Sequence, residues 1–195
     1  MLIQPTEKVK NGDKLGKRGF YMIEHKILIS EEKLDKRIRE LAKQISEDYK
    51  GEDITLICTL KGAVYFTIDL SKKITDSDVI LDFIRVSSYG VNNRETTGKP
   101  DFKLDISENI GNKNVIIVED IIDSGITLSY LYDYLKTKNP KSLKICVLLD
   151  KKARRQKKIK VDYTGFEIEN KFVLGYGLDY DEKYRNLPYI GYVEV

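Results

Sequence analysis

A chain of 195 residues with 41% hydrophobic and 33% charged side chains has the size and composition of one globular domain with a substantial core. Its 34 basic and 31 acidic residues nearly balance, so the net charge of +3 gives no argument for a nucleic-acid partner. With His25 as the single histidine, the sequence argues against a zinc site and against a histidine-dependent catalytic triad. No apolar run is long enough to span a membrane and no signal peptide is recognised, so we expect a cytoplasmic protein without a membrane partner.

The cysteines and the N-terminal segment carry no predicted chemistry. Cys58 and Cys146 lie inside apolar, strand-like runs, which favours buried, reduced thiols over a disulfide or a metal site. Residues 1–21 show no hydrophobic periodicity and are rich in lysine and glycine. We expect them to be an expression leader or a flexible extension, and residues 22–195 to form a single domain.

The first predicted elements are a helix and a strand–loop–helix unit. Ser30 is a predicted N-cap, and Glu31 and Glu32 suit the positive end of the helix dipole. Apolar residues then recur at helical spacing, at Leu34, Ile38, Leu41 and Ile45. The apolar run Ile54–Thr59 predicts a strand, and a helix is predicted over Ala63–Lys73. Between them, Leu60-Lys61-Gly62 offers a cation and a free amide, or is an ordinary solvated turn.

The middle of the chain predicts a further strand and a long loop. Val79–Ser88 is β-branched and alternating enough for a strand. The polar segment Ser88–Lys103 is too long for an ordinary connection, which favours a functional lid over a mobile hairpin. Further along, Ser142–Asp150 predicts a buried strand, and the basic run Lys151–Lys160 after it is expected to be mostly solvated.

The most informative stretch is Val115–Thr127. Its β-branched run Val115–Val118 predicts a central strand buried on both faces, followed directly by the carboxylates of Glu119 and Asp120. The short loop Asp123–Thr127 then leads into a helix with apolar residues at Leu128, Leu131, Tyr132 and Leu135. In open α/β sheets, ligands bind beyond the carboxyl ends of the strands, so we expect the functional site here.

The residue types of this loop suit a ribose phosphate. Gly125 permits close backbone approach or a positive φ, while Ser124 and Thr127 add hydroxyl donors near a helix N-terminus that favours phosphate. Glu119 and Asp120 repel a bare phosphate but can accept hydrogen bonds from a sugar diol or hold Mg²⁺. A surface turn is the alternative for Asp-Ser-Gly alone, and the complete pattern favours a functional site.

The alternation of strands and helices predicts an α/β fold with a mainly parallel central sheet flanked by helices. Short extended segments follow at Val161–Ile168, Lys171–Gly177 and Tyr189–Val195. We expect residues 161–195, together with the N-terminal arm, to build a small hood over the strand ends.

The arrangement at Glu119–Thr127 resembles the 5-phosphoribosyl diphosphate (PRPP) motif of type I phosphoribosyltransferases: two acids, two apolar residues, Asp, Ser or Thr, Gly, any residue, Thr. The block Phe172–Tyr180 is similar to that of the hypoxanthine (hypoxanthine-guanine) branch in its short bacterial form. Further matching segments, covering nearly all of 22–195, are Leu60-Lys61-Gly62, Ser88-Tyr89-Gly90, Lys151 and Val161–Leu187. Ser124 stands where many members have threonine, which keeps the hydroxyl.

The resemblance implies a set of PRPP-binding roles. Glu119 and Asp120 would hold the ribose hydroxyls, directly or through Mg²⁺, and Asp123 would face the purine N7 as general acid or base. The backbone and hydroxyls of the loop would cradle the 5′-phosphate, through Asp123, Ser124, Gly125, Ile126 and Thr127. Lys61 and Gly62 would meet pyrophosphate through an unusual peptide conformation at the bond between them.

The resemblance also implies how the base and the diphosphate are held. Lys151 would donate to the 6-oxo group, Phe172 would stack on the purine, and the Val173 backbone would orient it. Asp179 would bind Mg²⁺ near the pyrophosphate and Arg185 would contact its oxygens. Ser88 and Tyr89 would lead the closing loop. Each also has an ordinary interpretation: Phe172 as core, Lys151 as an exposed lysine, and Asp179 with Arg185 as a surface ion pair.

The function implied is purine salvage: transfer of phosphoribosyl from PRPP to hypoxanthine, and to guanine, by a homodimer or homotetramer. One alternative is a PRPP-binding transcriptional regulator without catalysis, although Lys151–Lys160 is the only candidate nucleic-acid surface and no room exists for a DNA-binding domain. The other is a transferase that prefers xanthine.

Overall fold

The computed structural model describes residues 23–87 and 101–194, and within them the chain forms one large and one small sheet with three α-helices. The large sheet has six strands in the order β4-β3-β2-β5-β6-β7, and the small sheet has three in the order β1-β9-β8. The strands are β1 (Lys26–Ile29), β2 (Ile54–Thr59), β3 (Val79–Ser87), β4 (Asp101–Leu104), β5 (Asn114–Ile122), β6 (Ser142–Asp150), β7 (Tyr163–Glu167), β8 (Phe172–Leu174) and β9 (Ile190–Val193). The helices are α1 (Glu31–Asp48), α2 (Val64–Ser71) and α3 (Ile126–Lys136).

The large sheet is parallel except at one edge, as the sequence predicts. Strand β5 lies between β2 and β6, with Val118 paired to Cys58 on one side and Cys146 on the other. Only β4 runs antiparallel, against β3. Because β2, β5 and β6 are parallel neighbours, their carboxyl ends meet at one edge of the sheet. This edge carries the loops in which the sequence places the functional residues.

The β-branched run of β5 is buried on both faces because helices cover both sides of the sheet. Ile116 and Val118 belong to the core beneath α1 and α2, and Val115 and Ile117 belong to the core beneath α3; all four are fully buried. The predicted cap of α1 is also present, since the Ser30 hydroxyl accepts the Lys33 amide. Both cysteines are buried free thiols, as predicted.

Several boundaries differ from the sequence interpretation. The end of the predicted loop Ser88–Lys103 belongs to β4, because the chain pairs there with β3. Strand β5 continues through Glu119 and Asp120 to Ile122, because its pairing with β6 extends to Asp150. The acidic pair therefore lies inside the strand and does not follow it. Helix α3 begins at Ile126, two residues before the periodic apolar positions.

The predicted hood is only partly a separate layer. Of residues 161–195, β7 joins the large sheet by pairing with β6, while β8 and β9 form the small sheet with β1 from the N-terminal arm. The small sheet, with the segment 175–189 that connects β8 to β9, is called the hood below. Residues 1–21 lie outside the described part of the chain. None of the helices in residues 23–87 and 101–194 has the length and hydrophobicity needed to cross a bilayer.

Candidate active site

A cavity of about 220 Å³ opens at the carboxyl ends of β2 and β5. Its wall combines the ends of these strands with the β5–α3 loop and the first turns of α3. The lining residues are Thr59, Leu60, Val86, Glu119, Ile121, Ile122, Asp123, Ser124, Gly125, Thr127, Leu128 and Leu131. The motif residues Glu119, Asp123 and Ser124 therefore share one cavity, as the sequence predicts.

The β5–α3 loop presents its backbone to this cavity because a second loop holds it from behind. Gly125 has φ of 77°, and a Cβ there would lie 2.8 Å from the Lys157 carbonyl oxygen. Both sequence-based reasons for glycine, a positive φ and close approach, therefore apply. The amides of Gln156 and Lys157 each donate to the Ser124 carbonyl at 3.0 Å. Gly125 caps α3 without a side chain, so first-turn amides of α3 are candidates to bind an anion, although that of Ile126 already donates to Ser124 Oγ at 3.4 Å.

Glu119 lines this cavity and forms a like-charged pair with Asp120, which is not among the lining residues and faces Gly62. The Thr59 Oγ1 lies 2.9 Å from Glu119 Oε1, and the Asp120 amide donates to the same oxygen at 3.3 Å. Burial, and then the charge of Asp120, raise the pKa of Glu119 well above its usual range. The pair thus resists full ionisation, and a cation or hydroxyl donor placed between the carboxylates relieves the repulsion.

Three segments meet at Gly62 without room for a side chain. A Cβ at Gly62 would lie 1.6 Å from Asp120 Oδ2, and a Cβ at Gly177 would lie 2.0 Å from the Gly62 carbonyl oxygen. The β2–α2 loop is therefore packed between the acidic pair and the hood. The unusual peptide is present as a cis bond, but it joins Leu60 to Lys61, one bond earlier than the resemblance placed it.

Asp123 has a buried carboxylate oxygen, Oδ1, without a hydrogen-bond donor among the described residues. The Arg154 Nε lies 3.3 Å from that oxygen, but the approach lacks hydrogen-bond geometry. A buried carboxylate oxygen that lacks a hydrogen bond, even one with a cation nearby, is unusual in a folded protein, so its place next to a cavity favours a functional role for Asp123.

Lys151 is buried, which excludes the ordinary interpretation of one more exposed lysine. Its side chain is 7% exposed, and its amide donates to the Ile122 carbonyl at 3.0 Å. Burial lowers the pKa of Lys151, and the negative charge of Asp123 offsets only part of this change. Within residues 23–87 and 101–194, no side chain makes a hydrogen bond or ion pair with its ammonium. Lys151 is thus a cation near the candidate base and available to a ligand.

The hood holds the remaining predicted residues. Phe172 is 44% exposed, which excludes the core interpretation, and its ring contacts Tyr180 edge to face with centroids 5.4 Å apart. Val173, the next residue of β8, is buried. Arg185 does pair with Asp179, at 2.8 Å between Nη2 and Oδ1, and also donates to the Gly177 carbonyl at 2.8 Å.

A comparison with protein-family models matches residues 28–181 to the phosphoribosyl transferase domain. The hypoxanthine-guanine phosphoribosyltransferase of Bacillus subtilis is 46% identical over 166 residues, which cover 85% of this chain and 91% of that protein. A solved hypoxanthine-guanine phosphoribosyltransferase from Bacillus anthracis has a TM-score of 0.81 at 52% identity, covering 86% of this chain and 98% of that one. The chain belongs to the phosphoribosyltransferase family, in its hypoxanthine-guanine branch.

The family and fold implied by the sequence motif are therefore confirmed. A bifunctional protein TilS/HprT of Listeria monocytogenes is also similar, at 47% identity over 166 residues. That alignment covers 85% of this chain but only 25% of the bifunctional protein. The phosphoribosyltransferase chain thus spans about a quarter of that relative and nearly all of the Bacillus subtilis enzyme.

Some predicted features of this phosphoribosyltransferase are not brought together, or lie beyond what the structure describes. Glu119, Asp120 and Asp179 do not form a ready-made metal cluster: among the described residues, no three acidic, histidine or cysteine side chains are placed to hold an ion. Ser88 and Tyr89, assigned to the closing loop, fall outside the described residues.

Three residues that contact the site were not predicted from the sequence. Thr59 supports Glu119, and its place at a strand end parallel to β5 was the available clue. Arg155 lies in the basic run expected to be solvated, but its guanidinium pairs with buried Asp150 at 2.5 Å and donates to the Asp123 carbonyl at 3.2 Å. Glu182 contacts Lys61 at 2.6 Å between Oε2 and Nζ, across 121 residues of sequence.

The raised pKa of Glu119 predicts a stability that depends on pH. A carboxyl that binds its proton more tightly in the folded state stabilises the fold below its unfolded pKa, and this contribution is lost as pH rises through the folded pKa. Glu119→Gln keeps the neutral shape, so its free energy of unfolding should exceed that of wild type at pH 8, and the difference should shrink towards pH 4. Urea denaturation across this range measures it.

The matched control is Glu47→Gln, which removes a carboxylate that is 67% exposed on α1. Its difference from wild type should be small and nearly independent of pH. A Glu119→Gln protein that is less stable than wild type at pH 8 would contradict the assignment of a strained carboxylate pair.

Proposed function

We propose that this phosphoribosyltransferase catalyses purine salvage by transferring 5-phosphoribosyl from PRPP to hypoxanthine, and to guanine, with release of pyrophosphate. The products are IMP and GMP. The observation that carries the proposal is the shared cavity of Glu119, Asp123 and the Ser124–Thr127 loop, in a chain similar to named hypoxanthine-guanine phosphoribosyltransferases over most of their length. None of these relatives is named as a regulator, so we propose an enzyme.

We assign the sugar and its 5′-phosphate to the end of β5. The 5′-phosphate lies in the Asp123–Thr127 loop, where first-turn amides of α3 and the hydroxyls of Ser124 and Thr127 donate to its oxygens. The ribose hydroxyls donate to Glu119 and Asp120. The diphosphate extends towards Lys61 and Gly62 on the β2–α2 loop and towards Arg185 in the hood. This assignment places each anionic group of PRPP near a donor and each hydroxyl near an acceptor.

The acidic pair fits Mg²⁺, which proteins commonly hold through one or two carboxylates together with substrate phosphates. Glu119 and Asp120 are oxygen ligands; burial and then the charge of Asp120 raise the pKa of Glu119, and a divalent cation would offset both effects. Asp179 is a candidate ligand for a second position near the diphosphate. When bound, Mg²⁺ neutralises charge that develops on the leaving pyrophosphate.

The protein's own groups act on the purine and on the developing charges. Asp123 accepts the proton from the purine N7 as a nitrogen of the purine attacks the sugar carbon. In the reverse reaction Asp123 returns a proton to the purine. The sugar carbon is cation-like in the transition state, and nearby carboxylates stabilise it. Arg185 and Lys61 stabilise pyrophosphate as its bond to the sugar breaks. Among the described residues no donor makes a hydrogen bond to Asp123 Oδ1, which supports its role in this proton transfer, although Arg154 Nε lies 3.3 Å away.

Recognition of the base is assigned to Lys151 and to the hood. The Lys151 ammonium donates to the 6-oxo group, which favours oxopurines over adenine, since an amino group there leaves the buried cation unpaired. Phe172, which is 44% exposed, stacks its ring on the purine. The Val173 backbone, with Asp179 nearby in sequence, orients the base.

The remaining assignments concern the domain, the loop, the assembly and the cellular compartment. Residues 22–195 act as one catalytic domain, and Ser88 and Tyr89 begin a loop that excludes water during transfer. The enzyme works as a homodimer or homotetramer on PRPP and a 6-oxopurine, without nucleic acid. It acts in the cytoplasm, where the buried thiols of Cys58 and Cys146 stay reduced.

A panel of bases tests the proposed function directly. Purified protein is mixed with PRPP, Mg²⁺ and each of hypoxanthine, guanine, xanthine and adenine, and turnover is followed by absorbance. We expect turnover with hypoxanthine and guanine and little with adenine, because Lys151 selects a 6-oxo group. Turnover with xanthine alone would establish the xanthine-preferring alternative. PRPP binding without turnover of any base would leave the regulator.

Replacement of Asp123 by asparagine tests its role as general base. Asp123→Asn should lower kcat by roughly 10²- to 10⁴-fold, because the amide cannot accept the N7 proton, while the dissociation constant for PRPP changes little. Stopped-flow turnover and isothermal titration measure the two quantities. Asp133→Asn, at an exposed position of α3, is the control and should match wild type. A large loss of PRPP affinity with unchanged kcat would refute the role.

A further inference from the structure

The hood contains a tight turn whose backbone is unusual for its residues. The turn Tyr180–Lys183 is closed by two backbone hydrogen bonds of 3.1 Å between its end residues. Its central residues, Asp181 and Glu182, have φ of 53° and 60°. Left-handed conformations at both central positions define turns that normally use Asn-Gly, because side chains there are disfavoured. Contacts with surrounding residues must therefore stabilise this backbone conformation, and the side chains of the turn can provide such contacts.

The Glu182 side chain lies between two cations from separate segments. Its Oε2 accepts a hydrogen bond of 2.6 Å from Lys61 Nζ on the β2–α2 loop and one of 3.4 Å from Arg185 Nη2 in the hood. The Glu182 amide donates to Asp179 Oδ2 at 3.0 Å, which fixes the base of the side chain. A single carboxylate oxygen thus contacts both cations that the proposed function assigns to pyrophosphate, although Arg185 lies closer to Asp179, at 2.8 Å.

We propose that Glu182 is a built-in counter-anion, which occupies the pyrophosphate-binding cations in the empty site and is displaced by the diphosphate of the substrate or product. The proposal rests on the proposed function of this site. A diphosphate carries several negative charges and can contact both cations at once, so it outcompetes one carboxylate. The exchange nevertheless weakens the net binding of the diphosphate, because Lys61 and Arg185 must first lose their contacts with Glu182.

The size of the effect follows from exposure. The side chains of Lys61 and Glu182 are 46% and 66% exposed, and exposed ion pairs contribute weakly to free energy. We therefore expect Glu182 to change pyrophosphate affinity by a few-fold, mainly through the rate at which pyrophosphate dissociates. Its pKa is lowered, first by Lys61 and then by Arg185, so the carboxylate is charged near neutral pH and the competition operates there.

A purely structural role for Glu182 makes the opposite prediction. If Glu182 positions Lys61 and Arg185 for the ligand, its removal weakens binding, since the cations lose their placement. If it competes for them, its removal strengthens binding. The sign of one affinity change therefore separates the two roles.

The test compares Glu182→Gln with Asp181→Asn in the full-length protein. Both remove one negative charge from adjacent left-handed positions of one turn, but Asp181 is 82% exposed and approaches only Lys183, at 3.9 Å. Isothermal titration with inorganic pyrophosphate and Mg²⁺ should show binding roughly three- to fivefold tighter for Glu182→Gln, within the range of exposed ion pairs. Asp181→Asn should match wild type. The gain should shrink at 1 M salt, because screening weakens the original ion pairs.

Each outcome has a distinct meaning. Weaker or unchanged pyrophosphate binding in Glu182→Gln overturns the proposal, as does an equal gain in Asp181→Asn, which would reflect net charge alone. Failure of the proposed function is visible separately, because wild-type protein would then bind neither pyrophosphate nor PRPP. A KM for hypoxanthine that stays constant in Glu182→Gln, while the dissociation constant for pyrophosphate falls, supports action at the diphosphate position only.

Discussion

The close contact of three chain segments at Gly62 is the constraint on which the site depends. The carboxylate of Asp120 occupies the space where a side chain at Gly62 would lie, and the Gly62 carbonyl occupies the space of a side chain at Gly177. Sheet edge, β2–α2 loop and hood are thereby joined at one point, although they are distant in sequence. The assigned sugar, diphosphate and hood contacts converge because these backbones approach so closely.

Charge is arranged around this contact as a set of internal pairs. Asp179 pairs with Arg185, Glu182 with Lys61, and Arg154 approaches Asp123. The exception is the acidic pair of β5, where burial and then the charge of Asp120 raise the pKa of Glu119. A substrate rich in phosphate and hydroxyl groups must therefore exchange partners with the protein as it binds. Such exchange lowers affinity but leaves the cations of an open site neutralised.

Sequence alone was sufficient for the central strand and its loop, because their signals are local. The β-branched run at Val115–Val118 predicted burial on both faces, Ser30 predicted the start of α1, and Gly125 predicted a positive φ or a close approach. These features depend on hydrophobic periodicity and on conformational preferences of single residues.

The remaining features depend on contacts between segments distant in the chain, which local patterns do not reveal. The extension of β5 through Glu119 follows from pairing with β6, and β7 joins the large sheet for the same reason. Arg155 is withdrawn from the solvated basic run because Asp150 is buried beside it. The contact of Glu182 with Lys61 depends on a turn in which neither central residue is glycine.

The affinity of a Gly62→Ala protein for PRPP and Mg²⁺ tests the central claim most directly. The added methyl group would lie 1.6 Å from Asp120 Oδ2, so the carboxylate must move away from its position beside Glu119, where we propose that the sugar binds. The account predicts that this variant folds but binds PRPP at least roughly tenfold more weakly, as expected for lost charge-assisted hydrogen bonds. Gly111→Ala, where the added methyl group meets only the Asn109 side chain at 3.2 Å and a carbonyl at 3.7 Å, should bind normally. A folded Gly62→Ala protein with wild-type PRPP affinity would contradict the account.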